Sequence, residues 1–298
     1  MKHYNSILIG NGTMGSRHRA RFEACGVHFL NVLDLVDFAG KSIESVLCTC
    51  DLDKIDFVVI ASPATTHYDY AKFFLERKIA VFVEKPIAVD SLQAQELADL
   101  ANSNDTLFFV AQSECFNPIF LNFRKHFLHD LNRNRNVCLE FRREHRYSGR
   151  CRDVGVALDL LVHDLSMFFT LFEFDDVSAL KFEQKNISNE NKDEASLYLQ
   201  IEKGKYAGVF ANFYVNRNSI KDVRTISVDF GRETSSPSSS YSISLANYLP
   251  NGEISHVPDS LDNEHRFFLK LLAGACRDWG RRLAQVSVNA VKMASQCV

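Results

Sequence analysis

No apolar run in the 298-residue chain approaches the roughly 20 residues that a membrane helix needs. Charge of one sign is lacking too. Lys and Arg number 34 against 37 Asp and Glu, a formal net charge of −3, which gives no reason to expect nucleic acid or an anionic membrane as partner. Arg133, Arg135, Arg142, Arg143, Arg146, Arg150 and Arg152 form a local basic stretch, read mostly as solvated surface with one or two able to meet a phosphate. None of the eight cysteines forms a Cys-x-x-Cys pair, and Cys48-Thr-Cys50 has no partners at zinc-like spacing. The expectation is reduced thiols in a cytoplasmic protein, with no metal and no disulfide scaffold. Strand-like sequence follows the first five residues, so no signal or transit peptide is expected. There is no internal repeat.

What is present falls into two rhythms. Up to about residue 115, short apolar runs at 6–9, 27–33, 57–61, 80–83 and 107–111 alternate with helical patterns at 14–25, 67–76 and 91–102. Asp90 with Gln93 three residues on resembles a capping box for the last of these. Strand–helix–strand repetition with short turns predicts parallel strands covered by helices on both faces, a doubly wound α/β domain. Beyond it, Pro118 opens a helix, 137–143 reads as a strand, and 156–172 reads as a long apolar helix. Strands at 177–184, 196–202, 206–214, 224–230 and 241–245 then follow without helices between them, and helical sequence resumes near Asn263. That pattern predicts an α+β domain with an open, mostly antiparallel sheet. The expected boundary is residues 1–117 for the first domain and 118–298 for the second.

Four constellations carry chemistry. The first is Gly10-Asn-Gly12-Thr13-Met14-Gly15, between the first strand and its helix. Gly10 suits a tight turn, Gly12 a close backbone approach to a pyrophosphate, and Gly15 helix–strand packing. The helix N-terminus, with Thr13 and Met14, offers free N–H groups to phosphate. A glycine-rich turn without a ligand is the plain alternative. Asp34 ends the second strand, where a carboxylate accepts from ribose hydroxyls and repels a 2′-phosphate, favouring NAD over NADP. Asp37 is its rival, and Lys41 leaves room for NADP. The second is Ala61-Ser62-Pro63-Ala-Thr-Thr-His67 at a strand's carboxyl end, a loop suited to capping the next helix. Ser62, Pro63 and His67 would lie beside the nicotinamide half of a dinucleotide, though His67 alone reads as a helix-start residue.

The third is the run 79–86, which ends in Glu84-Lys85-Pro86. An apolar, valine-rich run reads as a strand buried on both faces, and its carboxyl end is where an open parallel sheet presents its ligand crevice. Proline stops the strand and holds the lysine. A solvated loop start is the alternative. The fourth is Asp159-Leu-Leu-Val-His163-Asp164. On an α-helix i and i+4 face one way, so Asp159 and His163 project together from an apolar helix. They either perform a task or fasten the core as a pair.

Together, GNGTMG at 10–15, ASPATTH at 61–67, VEKP at 83–86, DLLVHD at 159–164 and NEHRFF at 263–268 resemble the Gfo/Idh/MocA family of dinucleotide-dependent oxidoreductases. The resemblance implies an N-terminal Rossmann domain for NAD(P) and a C-terminal α+β domain whose open sheet serves as a homodimer or homotetramer face. It implies a dehydrogenase acting on a CH–OH group in carbohydrate metabolism. Lys85, Asp159 and His163 inherit the catalytic roles. Alcohol oxidation must remove a hydroxyl proton, and imidazole titrates near neutral pH, so His163 suits the base. Lys85 would hydrogen-bond the reacting oxygen and Asp159 orient the sugar or the lysine, with Lys85 as the competing proton acceptor. A cis Lys85–Pro86 peptide is also implied.

A narrower resemblance, carried by Gln112–Pro118, Arg142-Arg143 and 152–159, is to the nucleotide-sugar 3-dehydrogenase and virulence-factor-like branch. It implies oxidation of the 3-hydroxyl of a UDP-N-acetylhexosamine, with Glu114, Asn117 and Arg152 on the substrate side. That branch has an arginine where this chain has Cys115. Rival readings are a non-catalytic NAD(P)-sensing regulator, an NAD-using glycosidase, and a reductase running the reaction backwards.

Overall fold

A computed structural model describes residues 3–131, 137–146, 153–172, 179–185, 193–231, 240–245 and 259–297. It divides the chain into two compact units: 1–113 with 261–291, and 114–260 with 292–298.

The first unit holds a five-stranded sheet of β1 (Tyr4–Ile9), β2 (Val27–Leu33), β3 (Phe57–Ile60), β4 (Ala80–Glu84) and β5 (Phe108–Ala111), all pairings parallel. The order β2-β1-β3-β4-β5 puts a topological switch point between β1 and β3. Every residue of β3, β4 and β5 is buried, as their unbroken apolar runs require of strands covered on both faces. The crossovers are α1 (Thr13–Ala24), the short α2 (Leu35–Phe38) and α3 (Ile43–Leu47), α4 (His67–Glu76) and α5 (Ser91–Ser103). Asp90 caps α5 by accepting from Leu92 N at 2.8 Å and Gln93 N at 3.1 Å, as its position predicts. The 61–67 loop departs from expectation. A 3-10 turn at Ala64–Thr66 runs into α4, and the Thr66 hydroxyl donates back to Pro63 O at 2.8 Å instead of capping the helix.

The second unit carries α6 (Pro118–Leu131) and a six-stranded mixed sheet. Its strands are β6 (Val137–Glu144), β7 (Ala179–Lys185), β8 (Glu194–Lys203), β9 (Val209–Asn216), β10 (Val223–Asp229) and β11 (Ser240–Ser244), in the order β11-β10-β6-β9-β8-β7. Only β6 and β9 pair in parallel, so the sheet is mostly antiparallel, as expected. Alternate residues of β8 and β9 are buried, which marks a sheet with one covered face. The apolar helix α7 (Val162–Leu171) supplies cover: Phe168 meets Phe213 with ring centroids 5.7 Å apart. The expected single helix over 156–172 begins instead with a π-helical turn at Ala157–Leu161.

The expected boundary at 117/118 needs correcting at the chain's end. Of the closing helices α8 (Ser260–Leu272) and α9 (Arg277–Ala294), residues 261–291 belong to the first unit. The reason is packing. Phe268 is fully buried and seats its ring 5.8 Å from Phe22, 4.9 Å from Phe57, 5.2 Å from Phe82 and 5.5 Å from Phe109. An aromatic side chain contributes roughly 1.5–3 kcal/mol when fully buried, and sequence separation does not enter that term.

Candidate active site

In the first unit, the carboxyl ends of β1 to β4 bring most of the expected cofactor residues to one edge of the sheet. Gly10 ends β1 with φ 91°, the left-handed region that favours glycine. A Cβ there would stand 2.5 Å from the Ala61 and Ser62 backbone, so Gly10 lets the ends of β1 and β3 converge. A Cβ on Gly15 would fall 1.8 Å from Gly10 O, so close packing of α1 on the turn requires glycine there as well. Gly12 differs: a Cβ would meet nothing within 4 Å. It is the N-cap of α1 and contributes no side-chain cap, and the first turn, from Thr13 and Met14, carries no acidic residue. Open space in front of N–H groups at a positive helix end fits the pyrophosphate of a dinucleotide.

Asp34 stands at the end of β2, as expected. Its carboxylate accepts from Leu35 N at 2.8 Å and lies 3.3 Å from Asn11 N, tying it to the glycine loop. Asp37, the sequence rival, is used otherwise: its carboxylate accepts from Asp34 N at 2.7 Å and closes a capping box on α2. That box was legible in the Asp-x-x-Asp spacing of 34–37.

The loop after β3 and the turn after β4 are fastened by His67. The ring is buried, with Nε2 2.9 Å from Ser62 O and Nδ1 2.7 Å from Pro86 O. Ser62, Pro63, Lys85 and Pro86 are thereby held together, and His67 acts on them as a clamp. The Lys85–Pro86 peptide is cis, as the resemblance implies. Lys85 is half-buried, and its N–H donates to Glu84 Oε2 at 2.9 Å. Burial pushes Glu84 up, but the hydrogen bond and charge of His18, with the charges of Lys85 and His67, outweigh it and hold the carboxyl below its usual range.

The second unit holds the remaining candidates. Asp159 lies in the π-helical turn and His163 in the first turn of α7. π-turns are rare and concentrate at functional sites. Asp159 is buried and stands 3.6 Å from Arg217, a residue that spacing does not reveal. Arg217 follows β9 directly, donates from Nε to Asp193 at 2.8 Å and from Nη1 to Val154 O at 2.9 Å. It ties the segment before the π-turn to the paired ends of β8 and β9.

Glu114 and Asn117 have structural work. Arg143, buried on β6, grips Asp164 at 2.8 Å and Glu114 at 2.9 Å. Asn117 Nδ2 donates to Leu245 O at 3.1 Å and to Glu114 at 3.3 Å. Burial raises Glu114, but the charge and hydrogen bond of Arg143, with Arg224 and Asn117, hold it low. These groups fasten the 3-10 turn at Ser113–Phe116 to β6 and to the end of β11. Arg152 lies outside the described residues. Among the described residues, no group of three or more His, Cys, Asp or Glu is placed to hold a metal ion, and no helix is long and apolar enough to cross a membrane.

A glycine turn at the switch point of a parallel sheet, with an acid at the next strand end, defines a dinucleotide-binding domain. Residues 5–112 match the model of the Gfo/Idh/MocA oxidoreductase family with an NAD-binding Rossmann fold. The chain is 22% identical over 245 residues to UDP-N-acetylglucosamine 3-dehydrogenase of Acidithiobacillus ferrooxidans, covering 78% of this chain and 76% of that protein. A solved structure of the same dehydrogenase matches 100% of this chain and 99% of its own at a TM-score of 0.73 and 19% identity. GenD2 from gentamicin A biosynthesis, solved with NAD, matches 100% of this chain and 94% of its own at 0.70 and 17%. At such identities the structural likeness is one of fold, and it extends over both units.

Proposed function

We propose that the protein is an NAD-dependent dehydrogenase acting on a secondary alcohol of a sugar or nucleotide sugar, within the cytoplasm. One observation carries the reading. Lys85 is held on the same sheet edge as the glycine loop and Asp34, in a turn fastened by Glu84 and His67. A cationic amine placed at the ligand edge of a Rossmann sheet polarises an alcohol oxygen. The 3-dehydrogenase relative supports a UDP-N-acetylhexosamine as the substrate class.

The glycine loop and the α1 N-terminus bind the pyrophosphate, and Asp34 the ribose hydroxyls. Bound NAD supplies the hydride acceptor. Lys85 donates a hydrogen bond to the reacting oxygen. His163 takes its proton, with Lys85 as the competing acceptor, and Asp159, 3.6 Å from Arg217, orients the sugar. The second unit binds the substrate and forms the face of a homodimer or homotetramer. The test is a thermal-shift screen of NAD and NADP, each with a panel of nucleotide sugars, followed by NADH production on any hit. A ligand that binds only the native state raises its melting temperature. Failure to bind either dinucleotide overturns the proposal. NADH with an intact sugar nucleotide as product separates it from a regulator and from a glycosidase.

A further inference from the structure

His18, Glu84, Glu264 and His265 form a buried ionisable group within the first unit. Glu84 is 9% exposed and the other three are fully buried. The rings pack on phenyl groups: His18 lies 5.1 Å from Phe82, and His265 lies 4.3 Å from Phe22 and 5.4 Å from Phe82. Phenyl rings offer little to a ring N–H, so the imidazole nitrogens must be satisfied by each other and by the backbone.

A backbone carbonyl sets the proton count from one end. His265 Nδ1 meets Leu261 O at 2.5 Å, and a carbonyl only accepts, so Nδ1 carries the hydrogen. Burial, with the charge of His18, lowers His265 to about 3, so the ring is neutral and its Nε2 is an acceptor. His18 Nδ1, 2.9 Å away, therefore donates to it. The other His18 nitrogen stands 2.7 Å from Glu84 Oε1 with one proton between them. Glu84 is held low, so that proton rests on His18 and Glu84 is a carboxylate. Its second oxygen accepts the Lys85 N–H. Donors thus run in one fixed sense from His18 through His265 to the α8 backbone, with Glu84 gripped between His18 and Lys85.

Other charges around the group are accounted for. Arg21 lies near His265 and pairs with Asp262 at 3.3 Å. Glu264 sits beside the Gln112 backbone with no hydrogen bond of ordinary geometry among the described residues. Burial and the charge of Glu84 push its pKa well up, so it stays protonated and adds no second negative charge.

We propose that His18 and His265 are positioning residues for Lys85: their polarised pair clamps the Glu84 carboxylate, and Glu84 clamps the lysine backbone. The catalytic consequence rests on the dehydrogenase reading above; the structural one does not. The NEHRFF segment of α8 then has a task, setting from the far end of the chain where the β4 lysine stands.

The test compares His265→Leu with His265→Gln. Leucine removes the acceptor for His18, whereas a glutamine amide oxygen restores it. The first readout needs no activity: NMR of the protein labelled with 15N at histidine and lysine, at pH 7. Wild type should show His18 protonated on both nitrogens and His265 on Nδ1 alone. The Lys85 amide resonance should move, and its exchange protection fall at least about tenfold, in His265→Leu but not in His265→Gln. The second readout is kinetic. His265→Leu should lose about tenfold to a hundredfold in kcat with NAD affinity within about twofold, and His265→Gln should recover most of it. A folded His265→Leu protein with an unmoved Lys85 amide overturns the proposal, as does a His18 ring carrying one proton. Should leucine prevent folding, the wild-type histidine spectrum and the His265→Gln amide still decide it. A Lys85 amide that responds, in a protein that oxidises no sugar, refutes the dehydrogenase reading alone.

Discussion

The Arg217 guanidinium lies 3.6 Å from the Asp159 carboxylate, and both side chains are buried. The same guanidinium holds Asp193 at 2.8 Å and Val154 O at 2.9 Å. Removing one partner of a buried ion pair leaves the other charge in a poor solvent, at a cost of about 3–5 kcal/mol. Arg217→Ala should lower stability by that order in urea unfolding. Arg217→Lys should recover only part, because an ammonium cannot span two carboxylates and a carbonyl as the planar fork does. An unchanged midpoint in Arg217→Ala would show that the pairing carries no weight.

Gly10 and Gly12 are two residues apart, yet their substitutions should fail differently. Gly10→Ala places a Cβ 2.5 Å from the Ala61 backbone at φ 91°, so it should destabilise the folded protein by more than about 1 kcal/mol. The Cβ of Gly12→Val meets no neighbour within 4 Å, so the melting temperature without ligand should fall far less than for Gly10→Ala. The branched side chain fills the space in front of the α1 N-terminus, and NAD affinity should fall at least about a hundredfold. Calorimetry and ligand titration on the two variants separate the effects; tight NAD binding by Gly12→Val would misplace the pyrophosphate.

The first domain was readable because each of its signals is local. Apolar runs such as 57–61 and 80–83 lie next to the residues that stop them, and glycine spacing within 10–15 needs no distant partner. The apolar run at 196–202 marked a strand in the same way. Pairings made by the tertiary fold left no such trace. Arg217 follows a strand as an ordinary charged residue would, and only its place opposite Asp193 at the end of the β8–β9 pairing makes it a clamp. His265 and Phe268 fall in sequence that reads only as a closing helix from about Asn263, which does not say which sheet the helix will cover. The π-turn at Ala157–Leu161 also escaped, since the apolar pattern of one added residue per turn differs little from that of an α-helix. The resemblance alone assigns Glu114 and Asn117 to the substrate side, and their bonds to Arg143 and Leu245 are long-range facts that the sequence does not carry.

Asp34 has two tasks that substitution should separate. Its carboxylate caps α2 through Leu35 N and faces the glycine loop through Asn11 N. Asp34→Ser keeps a capping oxygen but loses the charge. It should therefore fold normally, bind NAD about tenfold more weakly, and lose its discrimination against NADP. The ratio of the two dissociation constants is the measurement; a ratio that stays with NAD would place the ribose elsewhere.

Lys85→Ala should cut turnover by at least about a hundredfold while leaving NAD affinity within a few-fold. Full activity would remove the lysine from the chemistry. His163→Ala, measured beside it, addresses which group takes the proton. The base is the residue whose loss abolishes the acidic limb of the kcat profile, whereas loss of an orienting group scales the profile without changing its shape.

Acid–base stability should show two buried neighbours on α8 working against each other. His265 is lowered from 6.5 to about 3. Between those values the unfolded chain binds a proton that the native one refuses, so this residue costs stability as pH falls, by up to about 1.4 kcal/mol per unit. Glu84, also lowered, adds a loss of the same sign once pH falls through and below 4.5. Glu264 is raised well above 4.5, so the native chain keeps a proton that the unfolded chain releases, and stability falls as pH rises from 4.5. From 4.5 to 6.5 the His265 and Glu264 slopes oppose each other in the wild type. Urea unfolding across that window should therefore split the single variants. The stability of Glu264→Gln relative to wild type should grow with rising pH. That of His265→Gln should grow with falling pH. Parallel profiles for the two variants would mean that neither group is held in the protonation state its burial dictates.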